Sequence, residues 1–263
     1  PMIEHVRRRA LLSKHIQDVY IATCDEEIKK EITAFGGKVI MTSNKHTNGT
    51  SRIAEAVKNI NCTHVILLQG DEPLLLPRHL DALVDSIILN SKGDAWNATA
   101  PIENMEELDR HSFVKCTITP EQRIIFCFRR TPFYSPFETQ EQLVRKILGL
   151  IAYRKEFLMQ LTELPPGGIE LAESIEQMRI LENGFIITSV PVTPSLPSVN
   201  EPREAQIILE YIEHNVEQQN EDLHKLLNGM KTKLDGYRAR VKTKPMIGEE
   251  NPMTPNPPKS PPP

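Results

Sequence analysis

The chain has 263 residues, with 31 Lys plus Arg against 35 Asp plus Glu and a formal net charge of −4, so it lacks the basic footprint of a protein that lives on phosphate backbones. Its 39% hydrophobic content can supply a buried core, and its length suits one or two domains. No run approaches the ~18 apolar residues of a membrane span, so neither nucleic acid nor a membrane is expected as a partner.

Along the chain, Pro1-Met2-Ile3-Glu4-His5 reads as neither a signal peptide nor a translation start. Residues 19–23 form a short apolar run expected as a strand, a helix with an acidic start follows from about Asp25, and 38–41 reads as the next strand. A helix near 51–59 and a strand at 64–68 continue the alternation. Continuous β-branched runs need cover on two faces, so this half predicts an α/β unit of βαβ type with a parallel sheet. Pro77 opens a helix to about Leu89, with Leu80, Leu83, Val84, Ile87 and Ile88 on one stripe. The middle is richer in strands, at 98–100, 113–119, 124–128 and 148–153; a helix at 173–181 and a strand at 185–190 follow. A long helical pattern starts at Glu201 and can run through Leu234, and beyond about Arg240 the Pro-, Lys- and Asn-rich chain is expected to be disordered. The boundaries are therefore 1–212 for the folded domain, 213–241 for a helical extension and 242–263 for a Pro-rich tail.

Glycine is scarce at 12, and neither G-x-G-x-x-G nor a Walker string occurs. Cys24, Cys62, Cys116 and Cys127 lack metal or disulfide spacing and read as reduced thiols in or near the core of a cytosolic protein. The strongest string is Gln69-Gly70-Asp71-Glu72-Pro73, which directly follows the strand at 64–68. Ligands in open α/β sheets bind beyond the carboxyl ends of strands, where Asp71 suits Mg²⁺ shared with phosphate oxygens; a plain Gly-Asp turn closed by Pro73 would use the same residues. The loop 41–55 also follows a strand, and its hydroxyls and backbone N–H groups could meet a base edge or an anion at a helix start. Capping by Thr50 or Ser51 would explain most of it.

Taken together, the two strings resemble a known family. Thr-Ser-x-x-His-x-x-Gly-Thr-x-Arg-x-Ala-Glu from Thr42, followed by Gln-Gly-Asp-Glu-Pro, is similar to the 3-deoxy-manno-octulosonate cytidylyltransferases. Further ordered matches are Pro1 to Val6 with Arg9-Ala10, Ala22 to Glu26, Val114-Lys115, Phe128 to Pro132, Gly149 to Arg154, and Glu170, Glu173, Glu176 to Arg179 with Leu181-Glu182. The resemblance implies a Rossmann-like nucleotidyltransferase fold, a mixed sheet with helices on both faces and a strand-rich subregion on the sugar and dimer side. It also implies a cytoplasmic homodimer that joins CTP to a 3-deoxy-2-keto sugar acid for lipopolysaccharide biosynthesis, using Mg²⁺. On the same basis Asp71 and Asn200 would hold the metal, and His46, Asn48, Gly49, Thr50 and Arg52 would hold the nucleotide. Gln69, Arg130, Tyr153, Glu176 and Gln177 would line the sugar-acid pocket, with Asp71 and Arg130 as the catalytic pair.

The departures from the pattern are as specific as the matches. Asn200 stands where the family has Asp, Ser51 and Cys24 also replace Asp, Ile147 replaces His, Ile151 replaces Tyr and Ser112 replaces Asn. They bear on the sugar side and the metal, which leaves a related or amino-substituted 3-deoxy acid open as substrate. The family's phosphate loop, upstream of the Pro matched by Pro1, is not among the 263 residues, so weak CTP binding and low activity are expected of this chain. A diverged, non-catalytic relative acting as an interaction subunit is the competing reading.

Overall fold

The computed structural model describes residues 1–91, 93–199 and 204–214. Helix α1 (Met2–Ala10) buries Val6 and Ala10 and carries an ion pair in which Arg7 Nε and Nη2 each lie 2.7 Å from the Glu4 carboxylate. Strand β1 (Tyr20–Thr23) leads to α2 (Glu26–Ala34), whose start is fixed by Asp25 accepting from the N–H groups of Glu27 and Ile28. Next come β2 (Lys38–Met41), α3 (Gly49–Val57), β3 (His64–Leu68) and α4 (Pro77–Leu89). These four elements fall where the sequence predicts them, within two residues at either end.

The second half departs more. β4 (Ala95–Pro101) is longer than expected, and α5 (Met105–Asp109) was not foreseen. β5 (Lys115–Ile118) and β6 (Ile124–Phe128) form a hairpin, α6 (Phe137–Leu143) follows, and β7 (Val144–Arg154) runs for 11 residues where six were expected. α6 was not predicted, and α7 (Lys155–Glu163) follows β7 directly. The single helix expected over 173–181 is two, α8 (Gly168–Glu173) and α9 (Gln177–Glu182), separated where Ser174 adopts φ 54°. Strand β8 (Ile187–Pro191) and α10 (Glu204–His214) end the described chain. The compact unit spans Pro1–Glu213. The extension beyond His214 and the Pro-rich tail lie outside the described residues.

The sheet is mixed, as the family resemblance implied, and the parallel sheet read from the first half requires correction. β1 and β2 do pair in parallel. β3, however, pairs antiparallel with β7, in a six-stranded sheet of order β6-β5-β7-β4-β8 where β4–β8 is the parallel pair. Alternating helices and strands report local connectivity; they carry no information that β3 would be met by a strand from more than 75 positions downstream. Asn97 pairs with Ile151 and Thr99 with Ile147, so β7 advances four residues while β4 advances two. The resulting bulge at 148–150 lies where β7 changes neighbour from β5 to β3. Cys116 and Cys127 face each other across β5–β6, fully buried, whereas Cys24 is exposed rather than near-core.

β1 and β3 are not paired with each other. Between them lies a cavity of about 1080 Å³, lined by both strands and roofed by Ile3 and Val6 of α1, Leu80 and Val84 of α4, and Ile53 of α3. Gln69 donates to Gly149 O and Lys155 to Thr63 O, so the odd-numbered residues of β3 bond β7. By antiparallel alternation the N–H groups of Ile66 and Leu68 point the other way, into the cavity. We expect native-state hydrogen exchange at Ile66 and Leu68 to be about two orders of magnitude faster than at Val65 and Leu67; equal protection would show that the β3 edge is covered.

Candidate active site

The residues after β3 turn away from the sheet at Gly70, close to α1. Asp71 is half-buried, and its Oδ1 is sealed from solvent with no hydrogen-bond partner among the described residues. Burial, followed by the nearby Glu204 charge, holds its carboxyl above the usual range, against a partial counterweight from a backbone hydrogen bond. The Asp71 carbonyl accepts from Val199 N at 2.9 Å, tying the segment after β8 to this turn. Glu72 accepts from Gly149 N at 3.2 Å. Desolvation, reinforced by the Asp71 charge, pushes its carboxyl up to about 7. A Cβ at Gly149 would lie 2.7 Å from Glu72 Oε1 and 3.0 Å from Gln69 Oε1, so a side chain there would displace both.

The loop before α3 is closed by its own side chains. Asn48 is the helix cap, accepting from Ser51 N at 2.9 Å, so the capping expected of Thr50 or Ser51 belongs to Asn48. His46 Nδ1 lies 3.1 Å from Ser51 Oγ, and its Nε2 meets Glu55. Arg52 donates to Thr42 Oγ1 at 2.8 Å and to the carbonyls of Ser43 and His46. At the N-terminus of α3, the Gly49 and Thr50 N–H groups point at the Glu176 carboxylate, at 3.4 and 3.2 Å. A carboxylate there answers the positive end of the helix dipole.

On the opposite wall, Gln177 Nε2 donates to Asn97 Oδ1 at 3.0 Å. Arg129 is spent on structure, donating to the carbonyls of Glu173, Ser174, His111 and Ser112. Arg130, its neighbour, is exposed and makes no hydrogen bond or ion pair with the described residues. The residues after β3 thus include a carboxylate oxygen buried without a described partner, and an Asn97–Gln177 amide pair sits at the β7 bulge, while Arg130 is exposed after β6.

Residues 1–190 match the family model described as cytidylyltransferase. The chain belongs to the cytidylyltransferase family. It is 36% identical over 211 residues to a 3-deoxy-manno-octulosonate cytidylyltransferase of Chlorobium limicola, covering 79% of this chain and 85% of that one. It is also 36% identical over 213 residues to an 8-amino-3,8-dideoxy-manno-octulosonate cytidylyltransferase of Shewanella piezotolerans, covering 79% and 86%. Among solved structures it resembles a CMP:2-keto-3-deoxy-manno-octonic acid synthetase complexed with CTP, at 32% identity and TM-score 0.74, covering 83% and 88%.

This cytidylyltransferase brings Gln69, Asp71, Glu72, Asn97 and Gln177 together around the β7 bulge, and places the Glu176 carboxylate against the α3 start. Tyr153 does not line an open pocket, as the resemblance implied: it is 2% exposed, and its hydroxyl lies 3.1 Å from Thr50 Oγ1. Burial raises its phenol far above the usual range, so it stays protonated and anchors α3 to β7. Asn48 is likewise committed to capping. Asn200 lies outside the described residues. The sequence reading missed Glu72 and Asn97: the first was masked by the string it sits in, the second by an apolar stretch, Ala95-Trp96-Asn97-Ala98, where Asn is unusual for a strand.

Glu72 gives this cytidylyltransferase a pH-dependent stability. The unfolded acid ionises near 4.5 while the folded one keeps its proton to about 7. The unfolded state therefore binds fewer protons across that window, and stability falls as pH rises through it. In metal-free buffer, Glu72→Gln should match the wild type near pH 4 and exceed it by about 2–3 kcal/mol at pH 8 in denaturant unfolding; a constant difference across this range would refute the buried-acid assignment.

Proposed function

We propose that the chain transfers CMP from CTP to a 3-deoxy-manno-octulosonate-type sugar acid and releases pyrophosphate. The observation that carries this reading is its likeness to a synthetase solved with CTP, with the matched Gln69 to Pro73 segment at the end of β3. In such a transfer the sugar's anomeric oxygen bonds to the α-phosphorus as the bond to the β-phosphate oxygen breaks. The protein's share is positioning and charge neutralisation. Arg130 is available to hold the substrate carboxylate through two parallel N–H bonds. Gln69 and Gln177 would orient the sugar hydroxyls, while His46, Gly49, Thr50 and Arg52 shape the loop that faces the cytosine.

We propose Mg²⁺ as the cofactor. The residue set fits it, because Asp71 Oδ1 is buried without a partner and a hard cation answers a carboxylate oxygen of that kind; Asn200 would be the second ligand. When bound, the ion would neutralise charge on the triphosphate. We also propose a cytoplasmic homodimer. No helix among the described residues is long and apolar enough to cross a membrane, and Ile125, Tyr134 and Leu143 are exposed around the β6–α6 region. Fractionation should place the protein with the soluble fraction, and sedimentation should give twice the 29.9 kDa chain mass; a monomer would remove the dimer.

Pyrophosphate release should be seen with CTP, Mg²⁺ and either 3-deoxy-manno-octulosonate or its 8-amino analogue, and the preferred acid will show whether the departures at Ile147 and Ile151 alter the substrate. Asp71→Asn should lower kcat by about 100-fold or more. Arg130→Ala should raise the sugar-acid KM by about 10- to 100-fold and leave that for CTP within about twofold. Absence of release with both acids at saturating CTP would sink the proposed reaction.

A further inference from the structure

Asn97 stands alone as a polar side chain in the apolar start of β4, and it is fully buried. Its Nδ2 donates to Leu148 O at 3.1 Å and Leu150 O at 3.3 Å, the carbonyls that the β7 bulge turns inward, and to Ala98 O at 2.9 Å. Carbonyl oxygens only accept, so the amide cannot lie the other way round without setting its own oxygen against all of them. Asn97 Oδ1 must therefore face Gln177. An oxygen there can only be met by a donor, which fixes Gln177 with Nε2 toward Asn97, at 3.0 Å, and Oε1 away from it. Gln177 is half-buried, and its Oε1 is neither bonded to a described residue nor among the sealed unpartnered atoms. It is left open to solvent as a free acceptor.

We propose that Asn97 is a positioning residue that sets the polarity of Gln177, so that the sugar-acid pocket presents a hydrogen-bond acceptor there and selects a substrate hydroxyl or ammonium donor at that point. The carboxylate of the substrate is excluded from this wall and directed to the Arg130 side. The inference rests on the sugar-acid reading of the cleft, but the amide orientation follows from the bulge alone.

Two measurements test it. In ¹⁵N spectra of the whole chain, the Gln177 side-chain pair, identified by its loss in Gln177→Met, should include one proton exchanging at least about tenfold slower than a free amide. That difference should vanish in Asn97→Ser. Free-amide behaviour in the wild type overturns the proposal, and this readout decides it even if no sugar acid is turned over, an outcome that would count against the reaction only. In kinetics, Asn97→Ser should raise the sugar-acid KM about tenfold with the CTP KM unchanged. On a Gln177→Met background it should add less than about twofold, because the two residues act in series; full additivity would make Asn97 merely structural and overturn the positioning role. Should Asn97→Ser not fold, Gln177→Glu replaces it. A carboxylate cannot donate to Asn97, so KM should rise by about the same tenfold although acceptors are gained, and an unchanged KM would overturn the proposal. Among singly deoxygenated sugar acids, one should lose about tenfold with the wild type and nothing further with Gln177→Met; if none does, the acceptor makes no contact with substrate and the proposal fails.

Discussion

The bulge at 148–150 is the constraint on which the site depends. β7 must serve β5 along its first residues and β3 along its last, while β4 follows it on the other side. Where β7 passes from β5 to β3, its pairing with β4 breaks register, with two extra residues on β7. Within that stretch, side chains meet the Leu148 and Leu150 carbonyls and the Gly149 N–H. Asn97 satisfies Leu148 and Leu150 on one side, and Glu72 takes the Gly149 N–H on the other. A buried backbone group left unpaired costs about as much as a lost hydrogen bond, so each of these side chains is held by necessity.

The second anchor is the α3 N-terminus. Glu176 reaches it from the start of α9, more than 120 positions away in sequence, and the Tyr153–Thr50 contact fastens the same turn to β7. Two free N–H groups and the helix dipole would otherwise attract an anion from solution. With Glu176 in place, that end of the helix is already answered, and the loop from His46 to Arg52 is stiffened from within. A loop set in this way can read a base by shape and backbone groups at a low ordering cost.

Much of this was legible from sequence, unevenly. Short apolar runs at 64–68 and 124–128 and the Pro-led stripe of α4 gave their elements to the residue. Their burial demands leave strong periodic traces. The Gln69 to Pro73 string pointed to the strand end where Asp71 does sit. Partnership was the unreadable part. Nothing in His64 to Leu68 shows that the partner is antiparallel β7, and Tyr153 in an apolar strand looks the same whether its hydroxyl faces a ligand or Thr50. The α8–α9 break turns on a left-handed Ser174, a conformation that L residues other than Gly, Asn and Asp seldom advertise. Asn97 was visible as an oddity of composition, but its meaning needed the register of two other strands.

The acids of the cleft are best understood by what silences them. The proposed reaction brings a triphosphate to an anionic sugar, so every free carboxylate nearby is a repulsive charge. Glu176 accepts from the backbone donors of α3. Burial and the Asp71 charge push the Glu72 carboxyl up to about 7, so below neutrality it meets Gly149 as an uncharged acid. Glu173 is occupied by the Arg129 backbone N–H. Among the carboxylates of the described residues, Asp71 alone retains a buried oxygen without a partner. In a site built to hold anions, a carboxylate left in that state is costly unless a cation joins it. The acids that the fold can meet are held by backbone donors, and the one left without a partner among the described residues is the one at which Mg²⁺ is proposed.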